Sequence, residues 1–133
     1  MPAAMMIAAA LLGAAQPDGL RPLGTKELRA KVRGSTITRV HTYEAPNPNS
    51  PPPPYTPLES ETFRSGGRYA GEFDNYEPYG TYRIARGQVC VIAERDPEDC
   101  FSISIDRQGQ YWMKKSNWRG PVRVFIEKSV DRR

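Results

Sequence analysis

The chain is poor in the residues from which most catalytic and metal-binding sites are built. Its 133 residues include one histidine, His41, and two cysteines, Cys90 and Cys100. A structural zinc site needs about four nitrogen or sulfur ligands at close local spacing, which this inventory cannot supply. A thioredoxin-like redox pair needs two cysteines two residues apart, and the separation here is far wider. A triad would have to combine His41 with Ser35 or Ser60 and an acid, yet no nucleophile stands on a sharp turn. A lone histidine in a β-rich stretch is more often an ordinary surface or core residue, so a hydrolase using His41 is the weakest of the functional readings. Gly66, Gly67 and Gly71 in "SGGRYAG" lie between strand-like segments and open no helix, so they make no phosphate loop. Glu94, Asp96, Glu98 and Asp99 have the spacing of a solvated tight turn rather than of a glycosidase pair. The expectation is a non-enzyme with no catalytic residue, no metal and no cofactor.

Long apolar runs are also scarce. The one candidate is at the start, "MPAAMMIAAALLGAAQPDG", where an uncharged stretch from Ala3 to Leu12 leads to small residues at Gly13 and Ala15. This is the pattern of a signal peptide over residues 1–15, cleaved after Ala15, which leaves a single domain over 16–133. The alternative is an uncleaved anchor, because the n-region carries no Lys or Arg. The run is shorter than the roughly 20 residues of an ordinary span, and no later segment approaches that length, so no transmembrane span is expected in the mature chain. Export to the periplasm or the medium follows from this reading.

Acidic residues are few at the C-terminal end. Lys114, Lys115, Arg119, Arg123, Lys128, Arg132 and Arg133 face only Glu127 and Asp131 there, within a chain of net charge +4. Basic residues mixed with Tyr111, Trp112, Trp118 and Phe125 could stack on bases and hold phosphates. Export argues against nucleic acid as a partner, leaving a solvated strand face or a patch for an anionic envelope surface.

Proline is abundant, and seven of the 13 fall in "EAPNPNSPPPPYTPLE". Such a run cannot donate to a sheet ladder, so residues 44–60 should form a stiff polyproline II loop between two strands. Before it, "TKELRAKVRG" predicts a short amphipathic helix with Thr25 as N-cap, Leu28 and Val32 on one face and Gly34 at the stop. "STITRVHTY" then favours a strand. From Glu61 onward, seven strand-like segments alternate with short polar turns about every ten residues. Phe101, Ile103 and Ile105 alternate with Ser102 and Ser104, and Val122, Val124 and Ile126 alternate likewise, which gives one buried and one wet face. The predicted fold is mainly β: a small antiparallel curved sheet or β-barrel, a lipocalin-like meander, with one short N-terminal helix.

With zinc and redox roles excluded, Cys90 and Cys100 are expected to form a disulfide across the turn "ERDPED", where Asp96 and Pro97 favour reversal. The alternative is a pair of buried free thiols. The aromatic set Tyr69, Phe73, Tyr76, Tyr79, Tyr82, Tyr111, Trp112 and Trp118 raises a second question. In a curved sheet some of these rings fill the core, whereas others line a concave face and hold a ligand by stacking. Tyr69, Tyr82, Tyr111, Trp112 and Trp118 are the candidate ligand-facing residues.

The stretch "GTYRIARGQVCVIAERDPEDCFSI" is similar to a G-x-W-x-[IV]…[LV]-C…C-[FY] pattern of small exported bacterial proteins, in which it follows a glycine-containing hairpin, here "RSGGRYAGEF". "GTKELRAKVRGSTI" resembles the helix and first strand of that group. Tyr82 replaces the usual tryptophan, and the proline insertion is a departure. The resemblance implies a periplasmic, lipocalin-like or half-barrel β fold with a hairpin disulfide, and it carries no established activity. Two functional expectations result. One is an exported binding or structural protein holding a small apolar or aromatic ligand, or an envelope partner. The other is a protein-protein module, such as an inhibitor of a secreted hydrolase, that projects the proline-rich loop.

Overall fold

A computed structural model describes residues 19–40, 49 and 58–129. The expected signal peptide, His41 and the proline-rich segment other than Asn49 and residues 58–60 lie outside the described residues. Among the described residues there is one helix, α1 (Thr25–Val32), and nine strands. The strands are β1 (Arg21–Pro22), β2 (Ser35–Val40), β3 (Leu58–Phe63), β4 (Arg68–Glu72), β5 (Tyr79–Ala85), β6 (Gln88–Ala93), β7 (Asp99–Ile105), β8 (Tyr111–Lys115) and β9 (Val122–Lys128).

From β2 to β9 every strand pairs antiparallel with its successor, and β9 returns to pair with β2, so the meander closes into an eight-stranded up-and-down barrel. Closure answers the need stated by the alternating strands, because it hides one face of each and leaves no long edge unpaired. The seam sets Ser35 opposite Lys128 and Thr38 opposite Phe125. The short β1 pairs with the far half of β7, Arg21 opposite Ile105. Local chemistry sets the turns. Between β5 and β6, Arg86 and Gly87 both take positive φ, 53° and 74°, the geometry whose twist matches a two-residue hairpin. Between β7 and β8, Asp106 Oδ1 accepts from the backbone N–H groups of Gln108 and Gln110, each at 2.9 Å, and Oδ2 accepts from Trp112 Nε1 at 2.9 Å.

The inward residues form layers. Ile37, Phe63, Phe101, Ile103, Met113 and Val124 are essentially inaccessible. Phe63 is their hub, with ring centroids of Tyr82 at 5.1 Å, Tyr69 at 5.4 Å and Phe101 at 5.8 Å. Helix α1 closes this end of the barrel by burying Leu28 and Val32 completely. A helix of eight residues is not stable alone, so this packing is what holds it.

The helix termini differ in detail from expectation. The N-cap is Gly24 rather than Thr25, with the Glu27 carboxylate reaching back to accept from Gly24 N–H at 3.1 Å. Thr25 is the first helical residue, and its hydroxyl accepts from Gly87 N–H at 2.7 Å, tying the helix to the β5–β6 turn. Gly34, at φ 77°, reverses the chain into β2. Lys128 donates to the carbonyls of Ala30 and Arg33, both at 2.6 Å, so one member of the basic C-terminal set closes the helix rather than facing a partner.

The disulfide is present: Cys90 and Cys100 stand directly opposite on β6 and β7, with Cα atoms 4.0 Å apart. No helix among the described residues is long and apolar enough to cross a membrane.

Candidate ligand-binding cavity

The end of the barrel away from α1 is open, and its interior is charged. On four strands, β2, β3, β7 and β8, the inward phase continues past the apolar layer, but the next residue is charged. Arg39 follows Ile37, Glu61 and Glu59 precede Phe63, Asp99 precedes Phe101, and Lys115 follows Met113. The antiparallel meander gathers all five at the same end. Above them a cavity of about 940 Å³ opens, bordered also by Tyr69, Phe73, Tyr76, Pro78, Trp118 and the turn from Asp96 to Glu98.

The floor of this cavity is one connected network. Arg39 donates to Glu59 at 2.8 Å and to Glu61 at 2.6 Å, and its Nη1 also approaches Met113 Sδ at 3.6 Å. The Tyr69 hydroxyl donates to Glu61 at 2.7 Å. Lys115 bridges Glu61 at 3.5 Å and Asp99 at 3.0 Å. Arg39 and Glu61 are only 4% and 1% exposed, so two opposite charges are held almost fully out of water in a domain with little core to spare. The Arg39 guanidinium also faces the Trp118 ring at 5.1 Å and the Phe73 ring at 5.7 Å.

Electrostatics follow from this wiring. Burial alone would push the Glu61 carboxyl up, but the charges of Lys115 and Arg39, with hydrogen bonds from Arg39 and Tyr69, outweigh it and hold it below the ordinary carboxylate range. The Tyr69 phenol is pushed well above its usual value by burial, the Glu61 charge and its bond to Glu61, against a smaller opposite effect of Arg39. At neutral pH the network therefore holds Glu61 as a carboxylate against a neutral Tyr69 phenol, with Arg39 and Lys115 as its other partners.

A glycine keeps the space open. Gly71 lies on β4 between Tyr69 and Phe73. A Cβ there would come within 2.8 Å of the Tyr69 hydroxyl and 2.9 Å of a Phe73 ring carbon. At the mouth, Tyr76 donates to the Asp96 carboxylate, linking the β4–β5 and β6–β7 connections. Its ring stacks on Phe73 at 6.2 Å.

Of the five aromatics expected to face a ligand, Tyr69 and Trp118 border the cavity, joined by Phe73 and Tyr76 from the wider set. Tyr82 lies in the core, its hydroxyl donating to the Arg64 carbonyl at 2.5 Å. Tyr111 is half-buried with Lys31 over its ring at 5.2 Å, and Trp112 bonds Asp106. None of these three borders the cavity. Sequence reasoning missed Arg39, Glu59, Glu61 and Lys115. The available signal was charge occurring in phase with inward apolar residues, at matching ends of successive strands.

Comparison with known proteins adds no relative: no family model, curated protein or solved structure matches this chain.

Proposed function

We propose that this is a non-catalytic binding protein, exported to the periplasm or beyond, that holds a small ligand in the open end of its barrel. The observation that carries the reading is the buried Arg39–Glu61–Tyr69–Lys115 network at the base of a 940 Å³ cavity. Packing alone would be served as well or better by apolar residues, since replacing buried ion pairs with apolar groups of similar volume is often neutral or stabilising. A pre-wired polar floor under aromatic walls is the arrangement by which a pocket fixes the orientation of a ligand. Export rests on the N-terminal apolar segment and the disulfide, which persists best in oxidising compartments.

Native mass spectrometry of the protein purified from its own host, compared with the denatured mass, tests the binding reading. An added mass that is lost in Trp118→Ala is expected. A bare polypeptide mass, together with a Trp118 environment unresponsive to a metabolite extract, would turn attention to the outer surface.

A further inference from the structure

Resting on the reading of this cavity as a ligand site, we propose that its ligand is an organic cation with a flat apolar body. The buried Arg39 and the largely covered Lys115 are both already held. Arg39 is bonded to Glu59 and Glu61, and Lys115 to Glu61 and Asp99. An anionic ligand would have to displace a carboxylate from one of these pairs, at the high cost of leaving a buried charge uncompensated. A cation instead meets carboxylates at the mouth whose partners are exposed: Glu98 bonds Arg83 at 3.1 Å, a side chain 60% exposed, so an exchange there leaves no buried charge uncompensated.

The charge balance around the cavity points the same way. Three cationic and five carboxylate side chains border it, and with Arg83, which pairs with Glu98 from outside, a surplus of one negative charge remains on a chain whose overall charge is +4. A concave site with low-dielectric walls focuses such a surplus toward its mouth. Asp99 and Glu98 remain 44% and 40% exposed there, within reach of an entering ammonium group. The walls supply the second half of the recognition. Trp118 already presents its ring to Arg39 and Lys115, at 5.1 and 5.8 Å, and Tyr76 is half exposed at the rim. Aromatic faces attract cations and also stack on flat apolar groups. A single ligand that is cationic at one end and flat at the other uses both features.

The test compares three probes sharing one ring: phenethylammonium, 2-phenylethanol and phenylacetate. Each is titrated into the disulfide-bonded full chain near neutral pH, with the Trp118 indole N–H followed by NMR, which detects weak binding. The ammonium is expected to bind about tenfold more tightly than the alcohol, and the acetate more weakly than either. Glu98→Gln, at the mouth, should lower ammonium affinity by about threefold and alcohol affinity by clearly less. Alcohol or acetate binding as tightly as the ammonium would overturn the cationic ligand and leave the cavity a binding site. No response to any of the three would overturn both.

Discussion

Replacing Glu61 with glutamine tests the central network most directly. Glu61 accepts from Arg39 at 2.6 Å, Tyr69 at 2.7 Å and Lys115 at 3.5 Å, and is 1% exposed. Removing one partner of a buried ion pair typically costs about 3–5 kcal/mol. Here Arg39 keeps Glu59 and Lys115 keeps Asp99, and glutamine retains one acceptor oxygen, so the lower end applies. The expected loss is about 3 kcal/mol, or about 12 °C in Tm for a domain of this size. Urea unfolding gives the free energy, and Glu59→Gln, at a more accessible carboxylate, should cost less than half as much. The decisive variant removes both charges: Arg39→Met with Glu61→Leu should recover part of the loss, although the Tyr69 hydroxyl then lacks its acceptor and Glu59 loses its bond from Arg39. A Glu61→Gln protein within about 0.5 kcal/mol of the parent, or a double variant no better than the single one, would refute the claim that these charges are tightly coupled.

Four further outcomes are expected. Glu61 and Asp106 are both held below their ordinary range, Asp106 chiefly by the Trp112 indole N–H, so their contribution is complete above the unfolded carboxylate pKa of about 4 and disappears as pH falls through their folded values. Urea midpoints should therefore drop on acidification below about pH 4, and less steeply in Glu61→Gln. Replacing both Cys90 and Cys100 with alanine should cost about 2.5–3 kcal/mol in urea unfolding, the value for opening so short a loop. Gly71→Ala should cost about 1–3 kcal/mol in the same assay and shift the Trp118 and Tyr69 resonances, because its methyl forces Tyr69 away from Glu61. Leu28→Ala should cost about 2–5 kcal/mol and free the helix, seen as faster hydrogen exchange in Leu28–Val32 than in the strands.

The fold was readable because its determinants are local. Period-two apolar segments such as Phe101-Ile103-Ile105, the Arg86-Gly87 and Asp106–Gly109 turns, and a cysteine pair straddling a reversal each act over a few residues. Closure and strand order followed from the need to hide one face of each strand. The cavity was harder to read because it arises from register. Arg39 and Glu61 are 22 residues apart, and nothing near either one announces the other. A charged residue near a strand end reads as solvent-facing unless its phase is compared with its neighbours, as Ile37 with Arg39 or Phe63 with Glu61. The aromatics posed the same problem: Tyr69 and Tyr82 look alike in sequence, but one caps the apolar layer at the cavity and the other is enclosed within it.

The β2–β9 seam bears on how the chain becomes folded. Across it Thr36 and Ser129 share a hydrogen bond although they are 93 residues apart. Every other strand pairing in the ring joins sequence neighbours and can form as a hairpin, whereas this one must wait for nearly the entire domain. Until β9 is in place, β2 and β8 present unpaired backbone edges, the features by which β chains associate with one another. Ring closure is therefore the step that separates a sticky ribbon from a closed barrel, and β9, the strand that follows all the others of the ring in sequence, controls it.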